Sequence, residues 1–172
     1  MSKKIILCGY MASGKTTISR LLSHATEIPY ADLDHVIEKE AGKSISDIFK
    51  DEKEVAFRKR EHIALKKLLE TKGDLIISLG GGTPCYANNH LFLQEPNVIS
   101  IYLKAGIKEI VARLKGQLSH RPLLAALTPE ELEEYIAKHL FDRSYFYHQS
   151  KHTVVTDGKS EEQVVNAIIS LL

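Results

Sequence analysis

The sequence has few cysteines. Cys8 and Cys85 are the only two in 172 residues, and two cysteines cannot build the dense disulfide framework that stabilises small secreted domains. The segment before Cys8 is also too short and too polar at its start to be a signal peptide followed by a mature domain. We therefore expect two reduced thiols in a cytoplasmic protein.

Long hydrophobic runs and an excess of one charge are missing as well. No run approaches the roughly 18 apolar residues that a membrane-spanning helix needs. The 23 basic and 22 acidic residues leave a net charge of +1, which argues against a nucleic-acid-binding protein, because such proteins normally carry a basic excess on one face. The eight histidines lack the H-E-x-x-H spacing of metal sites, and C-x-x-C is absent too. We expect small-molecule partners, with neither nucleic acid nor a membrane among them.

What is present indicates one soluble domain over residues 1–172. Apolar residues make up 44% of the chain and charged residues 26%, which is typical of a globular protein. A chain of this length buries most of its apolar surface without disulfides or structural metals. No exposed apolar helix face demands a partner, so we expect a monomer.

Apolar runs of strand length alternate with helical patterns along the chain. The runs predict four strands and a shorter fifth one, at residues 3–8, 74–79, 98–103, 152–156 and near 28–31. Helical spacing covers residues 16–24, 55–70, 90–94, 107–115, 129–148 and 160–172. This alternation predicts a three-layer α/β/α fold with a five-stranded parallel sheet, covered on both faces and reached by right-handed crossovers.

Two segments do not fit the alternation. Residues 33–50 are typical of short helices separated by Gly42, and residues 116–128 are polar with little periodicity. Both follow strands, on the side where open α/β sheets bind ligands. We interpret the first, extended to about residue 60, as a substrate-binding flap. The second, from about residue 114 to 128, we interpret as a mobile lid.

The clearest motif is GYMASGKTT, which matches G-x-x-x-x-G-K-[ST] between a predicted strand and a predicted helix. Small residues let the backbone amides of such a loop converge on phosphates, and the helix N-terminus adds partial positive charge. The lysine then bridges the β- and γ-phosphates of ATP, while the hydroxyl of Thr16 ligates Mg²⁺. The predicted ATP-binding residues in this loop are Ala12, Ser13, Gly14, Lys15, Thr16 and Thr17.

Asp32 and Asp34 follow the predicted second strand. Asp32 is placed to hold Mg²⁺ through water, and Asp34 to orient or deprotonate a hydroxyl in line with the γ-phosphate. A second interpretation stays open on the residues alone. In it, Asp32 caps a helix N-terminus and Asp34 is a solvated acid of the first turn.

An anion-binding pattern lies further along the chain. Arg58 and Glu61 are three residues apart on a predicted helix, so they share a face and can pair, which fixes the guanidinium for a substrate carboxylate. A solvated surface pair is the alternative. The run 80–82 consists of glycines at a strand end, where backbone amides can approach a ligand closely; a merely flexible loop is the other interpretation.

Two more arginines are candidates for binding anions. Arg121 lies in the predicted lid, from which a closing segment can deliver it to the transferred phosphoryl group. Arg143, on the predicted helix after the lid, can add a second guanidinium for an anionic substrate.

Taken together in order, these residues resemble the shikimate kinases, a family of nucleoside-monophosphate-kinase-like P-loop proteins. The resemblance runs essentially end to end, through GYMASGKTT, DLD, FRKRE, SLGGG, RPLL, RSYFY and VVTDGKSEEQVVNAI. It implies ATP- and Mg²⁺-dependent phosphorylation of the 3-hydroxyl of shikimate, on the pathway to chorismate and the aromatic amino acids.

The resemblance also implies a role for each matching residue. The catalytic residues would be Lys15, Asp34 and Arg121, with Arg121 reaching ATP from the lid. Metal binding would fall to Thr16 and, through water, Asp32. Substrate-binding residues would be Asp34, Arg58, Gly81, Gly82 and Arg143.

The chain departs from the family pattern at two positions. Many members have glycine where this chain has Ala12, and the family's second lid arginine, near the adenine, has no direct counterpart, because Arg113 is displaced by one position. Two other functions remain as alternatives: a gluconate or nucleotide kinase of the same fold, since Arg58 alone does not exclude gluconate, and a nucleotide-binding regulator without catalysis. The regulator would be marked by loss of Lys15, Asp34 or an arginine, all of which are present.

Overall fold

The computed structural model describes residues 2–117 and 122–172. The strands are β1 (Lys4–Cys8), β2 (Tyr30–Asp32), β3 (Leu75–Ser78), β4 (Val98–Lys104) and β5 (His152–Val155). They form one five-stranded sheet in the order β2-β3-β1-β4-β5, and every neighbouring pair is parallel. This confirms the predicted parallel sheet.

Helices connect the strands. They are α1 (Lys15–Thr26), α2 (Leu33–Ala41), α3 (Ile45–Glu70), α4 (Ile107–Lys115), the short α5 (Pro122–Ala125), α6 (Pro129–Tyr147) and α7 (Glu161–Ile169). Two 3₁₀ turns, Thr83–Cys85 and Asn89–Gln94, lie between β3 and β4. The predicted helix at 90–94 is therefore a 3₁₀ turn, which suits so short a segment.

Each face of the sheet supports a separate apolar core, because successive side chains of a strand point to opposite faces. Ile6 and Cys8 of β1 pack with residues of α2, α3, α4 and α6 on one face. Ile5 and Leu7 pack with residues of α1 and α7 on the other. The sheet thus lies between two helical layers, as the alternation in the sequence predicted.

The central position of β1 determines where a ligand can bind. The chain leaves β1, forms β2 and β3 on one side of it, and then forms β4 and β5 on the other. Ligands of open α/β sheets bind at the carboxyl ends of strands where the order reverses in this way. The loops that follow β1, β2 and β3 meet at that edge.

Helix α3 starts ten residues before the predicted helix at 55–70 and is broken inside. Lys53 has φ 64° and ψ 172°, which is not helical. The break folds Glu52 back so that its carboxylate accepts from Nε of Arg60 at 2.8 Å and from its Nη2 at 3.1 Å. The predicted boundary near residue 55 therefore corresponds to this kink, and residues 45–52 belong with α2 in the segment interpreted as a flap.

The structure describes only part of the predicted lid. Residues 118–121, with Arg121 among them, lie outside the described residues. Within the described ranges, no helix is both long enough and apolar enough to cross a membrane.

Candidate active site

The loop that joins β1 to α1 has the backbone of a phosphate cradle. Gly9 and Gly14 have φ values of 148° and 92°, a region that side-chain-bearing residues rarely adopt. A Cβ built at Gly9 would lie 2.6 Å from the carbonyl oxygen of Leu103. The glycines of the motif are therefore required by the turn and by its close approach to β4.

Lys15 is buried at the first position of α1. Its ammonium donates to the carbonyl oxygens of Gly9 and Tyr10, both at 2.8 Å. Burial lowers the pKa of Lys15 to about 8, although the carboxylates of Asp34 and Asp32 oppose that shift. A cation held in this way inside its own loop can exchange carbonyl oxygens for phosphate oxygens without a large movement of the chain.

Ala12 occupies a position of this loop that favours glycine, because its φ is 60°. Its carbonyl oxygen accepts a hydrogen bond of 3.1 Å from Nη1 of Arg113, whose Nε is paired with Glu109 at 3.0 Å. The sequence did not assign a contact to Arg113. The structure brings its guanidinium to the phosphate loop.

A cavity of about 360 Å³ lies beside the loop. Arg113 and Gln117 line one part of it, and Thr156 and Lys159 line another. The segment after β5 is tied to the start of α4, since both carboxylate oxygens of Asp157 accept from the amide of Gly106, at 2.9 and 3.0 Å. This space is adjacent to Ser13 and Gly14, so it continues the phosphate cradle.

Asp32 makes the helix cap of the second interpretation, and its carboxylate also contacts the phosphate loop. Its Oδ1 caps α2 by accepting from the amides of Asp34 and His35, at 3.1 and 3.3 Å. Its Oδ2 accepts from the hydroxyl of Thr16 at 2.8 Å. The cap orients the carboxylate, so that its second oxygen contacts Thr16, the residue predicted to bind the metal.

Asp34 is not a solvated acid of the first turn. It is partly buried, and burial raises its pKa to about 6, with further contributions from the negative charges of Asp32 and Glu61. A Cβ built at Gly80 would lie 2.9 Å from Oδ1 of Asp34. The first glycine of the 80–82 run thus leaves the room that this carboxylate occupies.

The predicted pairing of Arg58 with Glu61 is confirmed, at 3.0 Å between Nη1 and Oε2. Glu61 is buried, and its other oxygen accepts from the hydroxyl of Thr83 at 2.6 Å. The Arg58 guanidinium also lies 3.9 Å from the centre of the Tyr86 ring, and a Cβ at Gly82 would be 2.9 Å from two of its nitrogens. Because it is held on these sides, this arginine is a fixed fork rather than a solvated surface side chain.

Arg143 reaches the middle glycine of the run from α6. A Cβ built at Gly81 would lie 3.7 Å from Nη1 of Arg143 and 3.3 Å from the backbone nitrogen of Met11 in the phosphate loop. The carbonyl oxygen of Gly81 accepts from the hydroxyl of Tyr147 at 2.6 Å. The glycine turn therefore separates the phosphate loop from the arginine by little more than its own backbone.

The structure thus gathers nearly all of the predicted site residues at one edge of the sheet, and only Arg121 lies outside the described residues. The sequence reasoning missed Thr83, Tyr86 and Tyr147, described above, and also His139, whose Nδ1 lies 2.9 Å from the hydroxyl of Tyr10 in the phosphate loop. Tyr147 belongs to the RSYFY stretch and Thr83 follows the glycine run directly, so their positions were the available signals. His139 carried no signal of its own.

Comparison with known proteins matches this arrangement to one family. The family model for shikimate kinase matches residues 11–172. A shikimate kinase of Flavobacterium psychrophilum is 50% identical over 170 residues, which cover 99% of each chain.

Solved structures agree with the sequence comparison. A shikimate kinase from Bacteroides thetaiotaomicron has a TM-score of 0.89 at 29% identity, over 98% of this chain and 97% of that chain. One from Acinetobacter baumannii, in complex with shikimate, has a TM-score of 0.86 at 31% identity, over 99% and 93% of the two chains. A gluconokinase from Sinorhizobium meliloti is only 15% identical, with a TM-score of 0.60 over 98% of this chain and 90% of that chain, so that likeness shows the fold alone.

Proposed function

The chain belongs to the shikimate kinase family, and from that membership we propose that the site described above transfers the γ-phosphoryl group of ATP to the 3-hydroxyl of shikimate. The products are shikimate 3-phosphate and ADP, on the pathway to chorismate and the aromatic amino acids. The enzyme is a phosphotransferase with an alcohol group as acceptor.

One observation carries the proposal more than any other. The Gly81 backbone lies between Met11 of the phosphate loop and the guanidinium of Arg143. Donors suited to phosphate and a donor suited to a carboxylate therefore converge on the same short turn. An acceptor that carries both a carboxylate and hydroxyl groups fits such a site, since its carboxylate binds the arginines while a hydroxyl faces the phosphate.

On the donor side, the roles follow from the cradle. The backbone amides from Ala12 to Thr17 bind phosphate oxygens, and the ammonium of Lys15 moves from the loop carbonyls to the β- and γ-phosphates. That ammonium then stabilises the charge that develops in the transition state. We assign the nucleoside of ATP to the cavity beside Arg113. Arg113 would there take the role of the family's second lid arginine, from which it is displaced by one position.

A divalent metal is required by kinases that use ATP, and we propose Mg²⁺ here. The donors fit, because the Thr16 hydroxyl and the Asp32 carboxylate are hard oxygen ligands held 2.8 Å apart. Thr16 would bind the ion and Asp32 would hold one of its waters. When bound, the ion neutralises charge on the β- and γ-phosphate oxygens.

On the acceptor side, Arg58 and Arg143 bind the substrate carboxylate, and the amides of Gly81 and Gly82 add backbone contacts. Asp34 accepts a hydrogen bond from the reacting hydroxyl. With a pKa raised to about 6, this carboxylate is mostly ionised at neutral pH and is a better proton acceptor than an ordinary aspartate. The segment 33–60 forms this half of the site.

The role of Arg121 is proposed from the sequence alone. We assign it to the charge on the transferred phosphoryl group, from a lid spanning about 114–128. The whole chain acts as one domain and as a cytoplasmic monomer, with ATP and shikimate as its small-molecule partners.

A substrate panel tests the function. Purified protein with ATP and Mg²⁺ is offered shikimate, gluconate and a nucleoside monophosphate, and ADP formation is coupled to NADH oxidation. We expect shikimate to give the highest kcat/KM. When ADP is measured directly by chromatography, without the Mg²⁺-dependent coupling enzymes, EDTA should abolish turnover and Mg²⁺ should restore it. Preference for gluconate or the nucleotide would replace the proposal with a related kinase, and ATP binding without any acceptor-dependent turnover would favour the regulator.

A further inference from the structure

Helix α6 presents three side chains to the active site from one of its faces. His139, Arg143 and Tyr147 are spaced four residues apart, so they lie above one another on successive turns. Arg143 approaches Gly81, as described above, and the other two make hydrogen bonds on either side of it. The two flanking bonds fix how the helix lies against the site.

The bond before Arg143 reaches the phosphate loop. Nδ1 of His139 lies 2.9 Å from the hydroxyl of Tyr10, and the two rings meet edge to face with centroids 5.5 Å apart. Tyr10 is buried at 1% exposure. Its carbonyl oxygen is one of the two that hold the ammonium of Lys15, so one loop residue contacts both the histidine and the phosphate-binding lysine.

The bond after Arg143 reaches the glycine turn, where the hydroxyl of Tyr147 donates to the carbonyl oxygen of Gly81 at 2.6 Å. Along this face of the helix, Arg143 therefore lies between one hydrogen bond to the phosphate loop and one to the glycine turn. Without the first bond, Tyr147 supplies the remaining one of these two hydrogen bonds between the helix face and the site loops, while Leu132 and Ile136 still pack in the core.

We propose that His139 is a positioning residue for catalysis: its hydrogen bond with Tyr10 fixes α6 against the phosphate loop and so sets the reach of Arg143 toward the acceptor. The inference rests on the proposed function, since it assigns Arg143 to the acceptor carboxylate. His139 itself touches neither substrate.

The protonation state of His139 agrees with an accepting role. Burial lowers its pKa, and the nearby positive charge of Arg143 lowers it further, against the opposing effect of Asp142. A neutral imidazole with its proton on Nε2 accepts a hydrogen bond at Nδ1 from the hydroxyl of Tyr10.

Steady-state kinetics of four variants test the inference. His139→Leu and Tyr10→Phe each remove the bond, and each should raise the KM for shikimate about three- to tenfold, the range of one lost hydrogen bond. The KM for ATP should change by less than about twofold, because the loop amides and the hydrogen bond between Lys15 and the Gly9 carbonyl remain. The double variant should be no worse than either single one. His139→Asn, which keeps a polar atom near the position of Nδ1, should recover most of the loss.

A matched control lies on the same helix. Tyr145→Phe removes a hydroxyl from a side chain that is 63% exposed, and it should leave the kinetics unchanged. Thermal melts of every variant identify any that fails to fold, in which case Tyr10→Phe and His139→Asn carry the comparison.

Several results would overturn the inference: an unchanged KM for shikimate in His139→Leu and Tyr10→Phe, equal increases of both KM values, or additive losses in the double variant. Failure of the proposed function looks different, because the unmodified enzyme would then not turn over shikimate. In that event the same variants are measured with the acceptor that the panel identifies, and the same split between the two KM values decides.

Discussion

At the scale of single residues, Ala12 shows how a local backbone angle constrains a side chain. Its φ of 60° places it in the left-handed region, which costs an L-residue roughly 1–2 kcal/mol. Its carbonyl oxygen accepts a hydrogen bond from Arg113, and its methyl group is only partly buried against the apolar core. The position therefore favours glycine.

We therefore expect Ala12→Gly to stabilise the protein by about 0.5–1 kcal/mol, since the relief of strain exceeds the extra entropy of glycine in the unfolded chain. Urea unfolding measures the change. Ala112→Gly, at an exposed position inside α4, is the matched control and should destabilise by about 1 kcal/mol. Destabilisation by both substitutions would show that Ala12 is not strained.

Ionisation of Asp34 should affect stability and activity in opposite directions: it lowers the stability of the fold, whereas the proposed reaction needs it. Its folded-state pKa of about 6 lies above the ordinary value of 3.8, so the ionised form is less favourable in the folded protein than in the unfolded chain. The stability that this group contributes is complete below pH 3.8 and is lost as the pH rises through about 6.

Asp34→Asn should therefore raise the free energy of unfolding at pH 7, on the order of 1–3 kcal/mol, and at the same pH it should lower kcat with little change in ATP affinity. In the unmodified enzyme, kcat/KM for shikimate should fall as the pH drops below about 6. Unfolding and rate profiles from pH 4.5 to 8 measure both effects. Asp142→Asn, an exposed aspartate, should change neither; unchanged turnover in Asp34→Asn would remove Asp34 from the chemistry.

Arg58 and Arg60 form a natural comparison on α3. Arg58 is held by buried Glu61 and by Tyr86, whereas Arg60 pairs with Glu52 across the kink. Arg58→Ala should raise the Kd for shikimate roughly 10- to 100-fold, as for the loss of a charge-assisted bond, and leave the Kd for an ATP analogue in place. Isothermal titration of both ligands measures the split. A similar loss of shikimate affinity in Arg60→Ala would mean that the helix charge, and not the fixed fork, binds the substrate.

At the scale of elements, helix termini position the site. Helix α6 begins with a capping box in which the Thr128 hydroxyl accepts from the amide of Glu131 at 3.2 Å and the Glu131 carboxylate accepts from the amide of Thr128 at 2.8 Å. Pro129 occupies the first turn, where its fixed φ suits a helix start. This cap gives the helix that carries Arg143 a defined beginning.

Thr128→Ala should destabilise the protein by about 1 kcal/mol, because it leaves a helix amide without its side-chain acceptor. Thr128→Ser keeps the oxygen and should be close to neutral. Neither should change the KM for shikimate, since Arg143 lies about four turns further along the helix. Chemical denaturation and kinetics check both points, and equal destabilisation by alanine and serine would contradict the capping role.

At the scale of the whole molecule, the surface of α6 bears on assembly. Phe141 and Tyr145 are 81% and 63% exposed and lie one turn apart. A pair of this size is within what a monomer normally exposes. We expect a mass of 19.3 kDa by light scattering over a wide range of concentration. A dimeric mass that Phe141→Glu reverses would instead identify this face as an interface between two copies.

The sequence by itself determined the five strands, their order along the chain, most of the helices and most of the candidate-site residues. Apolar runs such as Ile5–Ile6–Leu7 and the spacing of the helical residues are local patterns, and they predicted β1 to β5 and the layered fold. The glycines at 9, 14 and 80–82 could be recognised from the sequence because they follow predicted strands, where a tight turn or a close backbone approach favours glycine. Arg58 and Glu61 were readable because both lie on one helix.

Only the tertiary structure decided which distant groups meet. Tyr10 and His139 are 129 positions apart and Gly81 and Tyr147 are 66 apart, so no local pattern connects them. The pKa of Asp34 likewise depends on burial and on Glu61, which packing supplies. Strand and helix formation follow from periodicities within a few residues, whereas the anchoring of Arg143 and the tuning of Asp34 follow from long-range packing that exists only in the folded chain.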